Sequence, residues 1–557
     1  MAIKVRKEII KTDFLIVGGG SAGMQAAIAA GEKNIDVIIA EKADTRRSGS
    51  GANGNDHFAC YIPECHGDDF DLVIRQIDMT MDGGPFQDPT MLRLWVSRSF
   101  EVVKKWEAIG INMRPTGKWN FEGHSVPGNQ RYHLKYDGAN QKMALTKEAK
   151  AKGARIMNKT VINELLLDQG RVVGAIGIDI SDVQPEVVIF QAKAVLLAAG
   201  GASRLYPGIT PQYMFNDCGC PANTGAGHAM ALRAGVKLAN LDMAGGHAGP
   251  RYFARGGKGT WIGLTSDITG TCITPYQDKP SRENGDIASD IWPGSYRERM
   301  QIGQGPTYMN CTQTTEEDLD YMLHTAMVSE GIDSITDQLA QRGVSLRDEM
   351  IEFGSYNIGI GSQGVDIDTH AMSNVPGIFA AGSVGNVKGS LAGAVIMGMV
   401  AGESAADYVK TVDEVSVEHH PLIAEKIAFY SEILDRESGA YWKEPAATLQ
   451  NIMNDYAGPN VRSESLFNAG LHYLATLKEE ARKHLYAANS HEFMRVLETF
   501  DLMEVGEALM IMARNRKETR GMHKRVDYTY TNLLLNGKFQ TIQRCGNEVK
   551  LEFRNPF

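Results

Sequence analysis

Phe14-Leu15-Ile16-Val17-Gly18-Gly19-Gly20-Ser21-Ala22-Gly23 is the stretch from which the rest of this chain can be read. An apolar run with the look of a buried strand breaks into Gly18-x-Gly20-x-x-Gly23, and a helix-like run of Ala, Met and Ile follows. A second apolar strand, Asp36 to Ala40, ends in the acid Glu41. Strand, glycine turn, helix, strand and acid in this order describe a βαβ unit that binds a dinucleotide. Gly18 permits the tight turn, Gly20 lets a pyrophosphate approach the backbone, and Gly23 lets helix and strand pack closely. The helix N-terminus offers open N–H groups and a positive dipole end to the phosphates. Glu41 stands where an acid reaches a ribose hydroxyl.

The 557 residues suffice for two to four domains, and 43% apolar with 22% charged residues is ordinary for a globular protein. The net charge of −10 argues against nucleic acid as a partner, which asks for a basic face. Anionic substrates stay open if a local cationic pocket exists. The seven cysteines (Cys60, Cys65, Cys218, Cys220, Cys272, Cys311 and Cys545) are odd in number and scattered, so no disulfide framework is expected. Cys218-x-Cys220 and Cys60-x4-Cys65 lack a second close pair with zinc or cluster spacing. They read as ordinary thiols, with no metal and no iron–sulfur cluster in this chain. Met1 to Lys11 is short and mixed in charge, unlike a secretory leader. The longest uncharged apolar run, Gly389 to Gly402, is Gly-rich and too short to span a bilayer. A cytoplasmic location is expected, with membrane attachment only through a partner.

Residues 70–160 look mostly helical, with irregular aromatic-rich stretches from Trp119 to Tyr136. Thr160 to Gly177 reads as two strands joined by a Gly turn. Ala194 to Gly201 is a buried strand ending in two glycines, which suits a second close approach to the dinucleotide. Residues 226–345 change texture, with Gly-rich loops and short helices, and look like an inserted domain. Gly377 to Gly385, running into Leu391 to Gly402, repeats the opening logic of strand, glycine turn and apolar helix. Beyond about residue 415 the pattern is helical: Phe467, Leu471, Leu474 and Leu477 share one face, as do Phe493, Val496, Leu497 and Phe500, and both read as bundle core. Asn536-Gly537 and Gly546-Asn547 mark short hairpin strands in the tail.

Together these motifs resemble the succinate dehydrogenase and fumarate reductase flavoprotein superfamily. The pieces are the GGGSAG turn, Glu41-Lys42, Arg47-Ser48-Gly49-Ser50 with Gly54, Ala198 to Gly201, Thr224 to Ala231, Gly303 to Pro306, Ala380 to Gly382, and Arg516 to Asp527. The resemblance covers nearly the whole chain. It implies an α/β fold: a Rossmann-type FAD-binding domain (1–225 and 346–412), an inserted α+β capping domain (226–345), and a C-terminal helical domain with a short β tail (413–557). FAD would be held by Gly18, Gly20, Ser21, Ala22, Gly23, Glu41, Lys42, Arg47, Ser48, Gly49, Ser50, Gly54, Val161, Ala199, Gly200, Gly382, Ser383, Ser390 and Leu391.

Departures from the family pattern narrow the branch. Gly49 stands where succinate and fumarate enzymes carry the His that bonds the flavin, which implies noncovalent FAD. The proton-donating Arg falls at Ser289, the second substrate His near Gly359, and the carboxylate-clamping Arg before Ser390-Leu391 has no counterpart. Losing these Arg residues removes the bidentate clamps a dicarboxylate needs, which speaks against fumarate or succinate. Ser383 and Ala226 replace a Glu and an Asp of the family motifs. His247 does match a family position, although Ala248 and Gly249 replace the Pro and Thr beside it. The N-terminal half also resembles the alpha subunit of adenylylsulfate reductase, through Arg47-Ser48-Gly49, Val102 to Gly110 and Gly305 to Asn310. Ala59 replaces a substrate-contacting Asn of that family. The chain reads as a divergent member near that branch.

Flavin chemistry leaves the protein to hold substrate and stabilise charge. His247, Arg251 and Arg255, with Lys258, are the expected catalytic and anion-binding groups. The alternative is a core His followed by a solvated basic loop. Trp261 reads as packed rather than stacked on a substrate, Lys388 as either cavity-facing or exposed, and Arg520, His523 and Arg525 as structural. The expected function is that of an FAD-dependent oxidoreductase subunit, which acts on a small anionic substrate and exchanges electrons with an iron–sulfur partner. The alternatives are a subunit of the adenylylsulfate reductase type, a stand-alone oxidase similar to L-aspartate oxidase, and an electron-transfer subunit with a degenerate site.

Overall fold

Phe14, Leu15 and Ile16 are wholly buried because their strand, Ile10–Val17, lies inside a parallel sheet covered on both faces. The computed structural model describes residues 3–52, 54–80, 87–122, 128–208, 214–215, 220–251, 260–274, 279–282, 293–329, 332, 334–458 and 461–557. The sheet runs Arg155–Asn158, Val37–Glu41, Ile10–Val17, Glu186–Leu197, Arg171–Asp179, Thr160–Asp168. Its first four strands are parallel and the last two antiparallel. Glu186–Leu197 has 12 residues, long enough to take the short strands Lys4–Val5 and Ile378–Ala380 as well. Gln169 and Gly170, both at positive φ (47° and 79°), make the tight turn expected between Thr160–Asp168 and Arg171–Asp179.

Two helices cover the glycine end of this sheet. Ser21–Glu32 follows the first strand, and Ser390–Tyr408 lies directly against it. Gly398 and Gly402 make that contact possible. A Cβ on Gly398 would stand 2.3 Å from the Ala22 carbonyl oxygen, and one on Gly402 2.3 Å from that of Ala26. The apolar run of Gly389 to Gly402 is therefore a buried helix–helix seam. Among the described residues, no helix is long and apolar enough to cross a membrane.

A second body has its own core of Trp261, Ile262, Tyr296, Met309, Phe353 and neighbours. It is built on the sheet Gly245–Pro250, Ile351–Gly359, Thr307–Asn310, Leu264–Ser266. This shifts the boundaries expected for the insertion. The helix Ala226–Arg233 packs into the main core, whereas strand Ile351–Gly359 pairs with the inserted sheet past residue 345. The C-terminal helices Pro421–Leu434, Lys443–Ala457, Glu464–His484 and Ser490–Asn515 bury Phe467, Leu474, Phe493, Val496 and Leu497, while Leu471, Leu477 and Phe500 pack at the core's edge. The tail hairpin Phe539–Cys545 with Glu548–Arg554 does not stand apart with the helices. It adds to Leu238–Ala239, beside the entry to the inserted body.

The Arg516 to Asp527 segment is a buried lock. Arg516 Nε reaches Asp242 Oδ2 at 2.5 Å, and Arg462 donates to the Asp242 carbonyl at 2.8 Å and bonds His523 Nδ1 at 2.9 Å. Arg520 and Arg525 hold Glu518 and Asp527. The structural reading of Arg520, His523 and Arg525 rests on these contacts.

Candidate active site

The two covering helices point their N-termini at one cavity of about 900 Å³. Neither N-cap, Gly20 nor Gly389, brings a side chain to bond the first-turn N–H groups. Those donors and the dipole ends behind them are available to an anion. Gly18 (φ +103°) turns the chain so tightly that a Cβ would lie 2.6 Å from the Ala198 carbonyl oxygen. A Cβ on Gly23 would lie 2.1 Å from the Gly18 carbonyl oxygen. Any larger residue there would push the helix off the turn.

Every expected FAD-contacting residue except Gly23 lines this cavity. Gly23 instead sets the packing behind it. Glu41 is buried at the end of its strand and accepts from the N–H of Gly19 at 2.7 Å and of Ala43 at 2.8 Å. Gly49 brings no side chain to the wall, so no bond to a cofactor can start there. Gly359 has φ +75°, and a Cβ would meet the Ala202 carbonyl oxygen at 2.0 Å. That backbone excludes the family His from the position.

His247, on strand Gly245–Pro250, lines the same cavity and is buried, with Nδ1 2.5 Å from the Ala248 carbonyl oxygen. Lys388 also lines it. It faces Asp78, whose carboxyl is raised by burial and only partly drawn back by Lys388. Arg251 lies outside the lining, with Nε 3.6 Å from Glu352 Oε1 on the neighbouring strand. Arg255, Lys258 and Ser289 lie outside the described residues. Trp261 is core, edge-on to Phe353 at 5.5 Å.

Three features escaped the sequence reading. Glu498, on Ser490–Asn515, reaches the cavity wall and gathers Lys42 at 2.8 Å, Arg204 at 2.5 Å and Arg495 at 2.8 Å. Burial opposes its charge, but the three cations hold its carboxyl down to about 2. Lys142 is buried under the glycine turn and donates from Nζ to the Gly19 carbonyl. Burial lowers its ammonium to about 8 against the opposing pull of Glu41 and Asp44. The third is a ribbon carrying His57 and His133 on the cavity wall. No local motif marks these residues, because their partners are distant in sequence.

The donors fit a dinucleotide cofactor: two helix N-termini without side-chain caps, a turn that tolerates no Cβ, and a strand-end carboxylate. Comparison with known proteins agrees. Residues 13–395 match the FAD binding domain family, and residues 446–549 match the fumarate reductase flavoprotein C-terminal domain. The fumarate reductase (CoM/CoB) of Methanothermobacter marburgensis has a subunit 25% identical to this chain, over 96% of this chain and 99% of its own length. The FrdA chain of E. coli quinol fumarate reductase overlays with a TM-score of 0.83 at 21% identity, over 98% of this chain and 97% of its own. Adenylylsulfate reductase from Archaeoglobus fulgidus overlays at 0.84 and 21% identity, over 100% and 98%. At such identity these overlays show a shared fold.

Proposed function

Because this chain belongs to the FAD-binding family of fumarate reductase-type flavoproteins, and is an FAD-dependent oxidoreductase of that type, we propose that it is the flavoprotein subunit of a larger enzyme. It transfers electrons between a small anionic substrate and an iron–sulfur partner. The observation that carries the reading is the single cavity shared by the glycine turns, both helix N-termini and His247.

When bound, FAD supplies the hydride or single-electron chemistry. The residues around it do the rest. Gly20, Ser21 and Ala22 offer backbone donors to the pyrophosphate, and the N-terminus at Ser390 offers a second set to another electron-rich edge. Glu41 accepts from a ribose hydroxyl while its other contacts brace Gly19. Gly49 leaves the cofactor noncovalent. His247 presents an imidazole to the substrate from the inserted body, whose approach excludes water from the cavity. The partner is supported by relatives named as subunits of larger enzymes, among them the Methanothermobacter marburgensis protein.

The test is to purify the chain with its flavin, precipitate it with acid, and reduce a second sample anaerobically. The reading expects FAD in the supernatant. It also expects slow reoxidation by air but fast reoxidation by an iron–sulfur protein. Rapid peroxide production in air would favour a stand-alone oxidase instead. Flavin that stays with the pellet would overturn the noncovalent assignment.

A further inference from the structure

One face of the helix Ser490–Asn515 lies over the Glu41 end of the cavity. Met494, Leu497, Glu498 and Asp501 recur at three- and four-residue steps, which puts them on one side of the helix, and all four line the cavity. Lys42, the residue after Glu41, reaches Glu498 on that face at 2.8 Å. Asn158 is the sheet partner of Glu41, and a few residues past it Val161 and Ile162 line the same cavity. Beside the ribose that Glu41 would hold, these apolar side chains offer the flat faces of a base a dry surface to pack on.

Behind this face Arg233 holds three carboxylates: Glu164 at 3.0 Å, Asp501 at 3.0 Å and Glu504 at 3.2 Å. Two of them have a second cation, Lys426 at 2.5 Å from Glu164 and Arg544 at 3.6 Å from Glu504. Asp501 has none. Its Oδ1 accepts from Arg233, while among the described residues its Oδ2 accepts no hydrogen bond. Yet Asp501 is only 3% exposed, and it is the one of the three that lines the cavity. A brace between helices needs only the bonded oxygen, and a buried oxygen without a donor is a cost to the fold. Burial raises the Asp501 carboxyl to about 7 against the pull of Arg233, and Glu504 and Glu164 add to the rise. Its ionised form is thus short of donors, and an N–H from a ligand would supply one. Adenine carries such a donor, its exocyclic amino group, on the edge of a flat ring.

We propose that Asp501 reads the adenine of the cofactor by accepting from its amino group, with Arg233 as the positioning residue that fixes the carboxyl at the cavity wall. This rests on the flavoprotein reading above and adds a specificity contact from the C-terminal helices to a cofactor otherwise held by the glycine turns of the main sheet. A site built around a hydrogen bond to an N–H rejects a ligand that lacks it, because the buried acceptor is then left unpaired. A carboxyl that served only to anchor Arg233 would not distinguish one base from another.

The test strips the flavin from the purified chain and titrates the apoprotein with FAD and with the analogue whose adenine is replaced by unsubstituted purine, which lacks only the amino group. Binding is read by quenching of flavin fluorescence and by calorimetry. Wild type is expected to prefer FAD by roughly tenfold or more. Asp501→Leu is expected to bind FAD no more tightly than the purine analogue, with its affinity for the analogue little changed. Asp501→Asn keeps a carbonyl oxygen at the same place and should retain part of the preference. Asp501→Ala serves where Asp501→Leu fails to fold. A wild type that binds both dinucleotides equally would overturn the contact. So would a folded Asp501→Leu or Asp501→Ala protein with an unaltered preference, whether or not its overall affinity falls, and Asp501 would then be a brace for Arg233 alone. A wild-type apoprotein that binds neither dinucleotide would instead count against the flavoprotein reading.

Discussion

His228 shows how one residue's burial becomes a property of the fold. It sits wholly buried on Ala226–Arg233, with Nε2 3.0 Å from the Gln363 carbonyl oxygen, and burial lowers it from 6.5 to about 4. Between those values the unfolded chain binds a proton that the folded chain refuses. Its contribution to stability is full above about pH 6.5 and is lost as pH falls toward about 4, at about 1.4 kcal/mol per pH unit. Denaturant titrations across this range should show a shallower acid loss in His228→Gln than in wild type; parallel curves would refute the assignment. Glu41 makes a different demand. Glu41→Gln keeps the shape but weakens acceptance from Gly19 and Ala43, so FAD affinity should fall by roughly 1–3 kcal/mol in apoprotein titrations. Glu41 was legible in the sequence because the strand period and the glycine turn fix its place. Glu498 was not, because Lys42 and Arg204 come to it from the far end of the chain. His57 was not either, since a histidine among Gly, Asn and Asp reads as loop surface until its ribbon partner is known.

At the scale of elements, the seam between Ser21–Glu32 and Ser390–Tyr408 aims two N-termini at one cavity. The sequence announced both helices through the same sign, an apolar strand breaking into glycines. It did not announce that Gly398 and Gly402 face the first helix, because glycines four apart also read as helix weakness. Gly402→Leu must displace the Ala26 carbonyl that its Cβ would approach to 2.3 Å. The expected cost is about 1–3 kcal/mol of stability with reduced FAD retention. Thermal melting and the flavin-to-protein absorbance ratio measure both, and a variant that melts and retains flavin like wild type would contradict the seam's role. The partners of the tail hairpin and of Ile351–Gly359 were not legible in the sequence for a related reason. A strand's period reports its faces and not its neighbours, and both strands pair with segments far away in sequence.

Taken whole, the molecule brings three regions to one cavity: the glycine turns of the main sheet, His247 from the inserted body, and Glu498 from the C-terminal helices. The inserted body keeps a hydrophobic core of its own, separate from that of the main sheet. The central claim is that substrate meets the flavin in that shared cavity and that His247 contacts it. The most direct test is to reduce the FAD-loaded protein anaerobically and follow reoxidation by flavin absorbance. The acceptors to try are fumarate, adenylylsulfate, other enoates and sulfur oxyanions, with wild type beside His247→Ala. The expected result is rapid reoxidation by one anionic compound, slowed roughly a hundredfold or more in His247→Ala at unchanged FAD content. Equal rates in the two proteins for the compound that reoxidises wild type would contradict the claim.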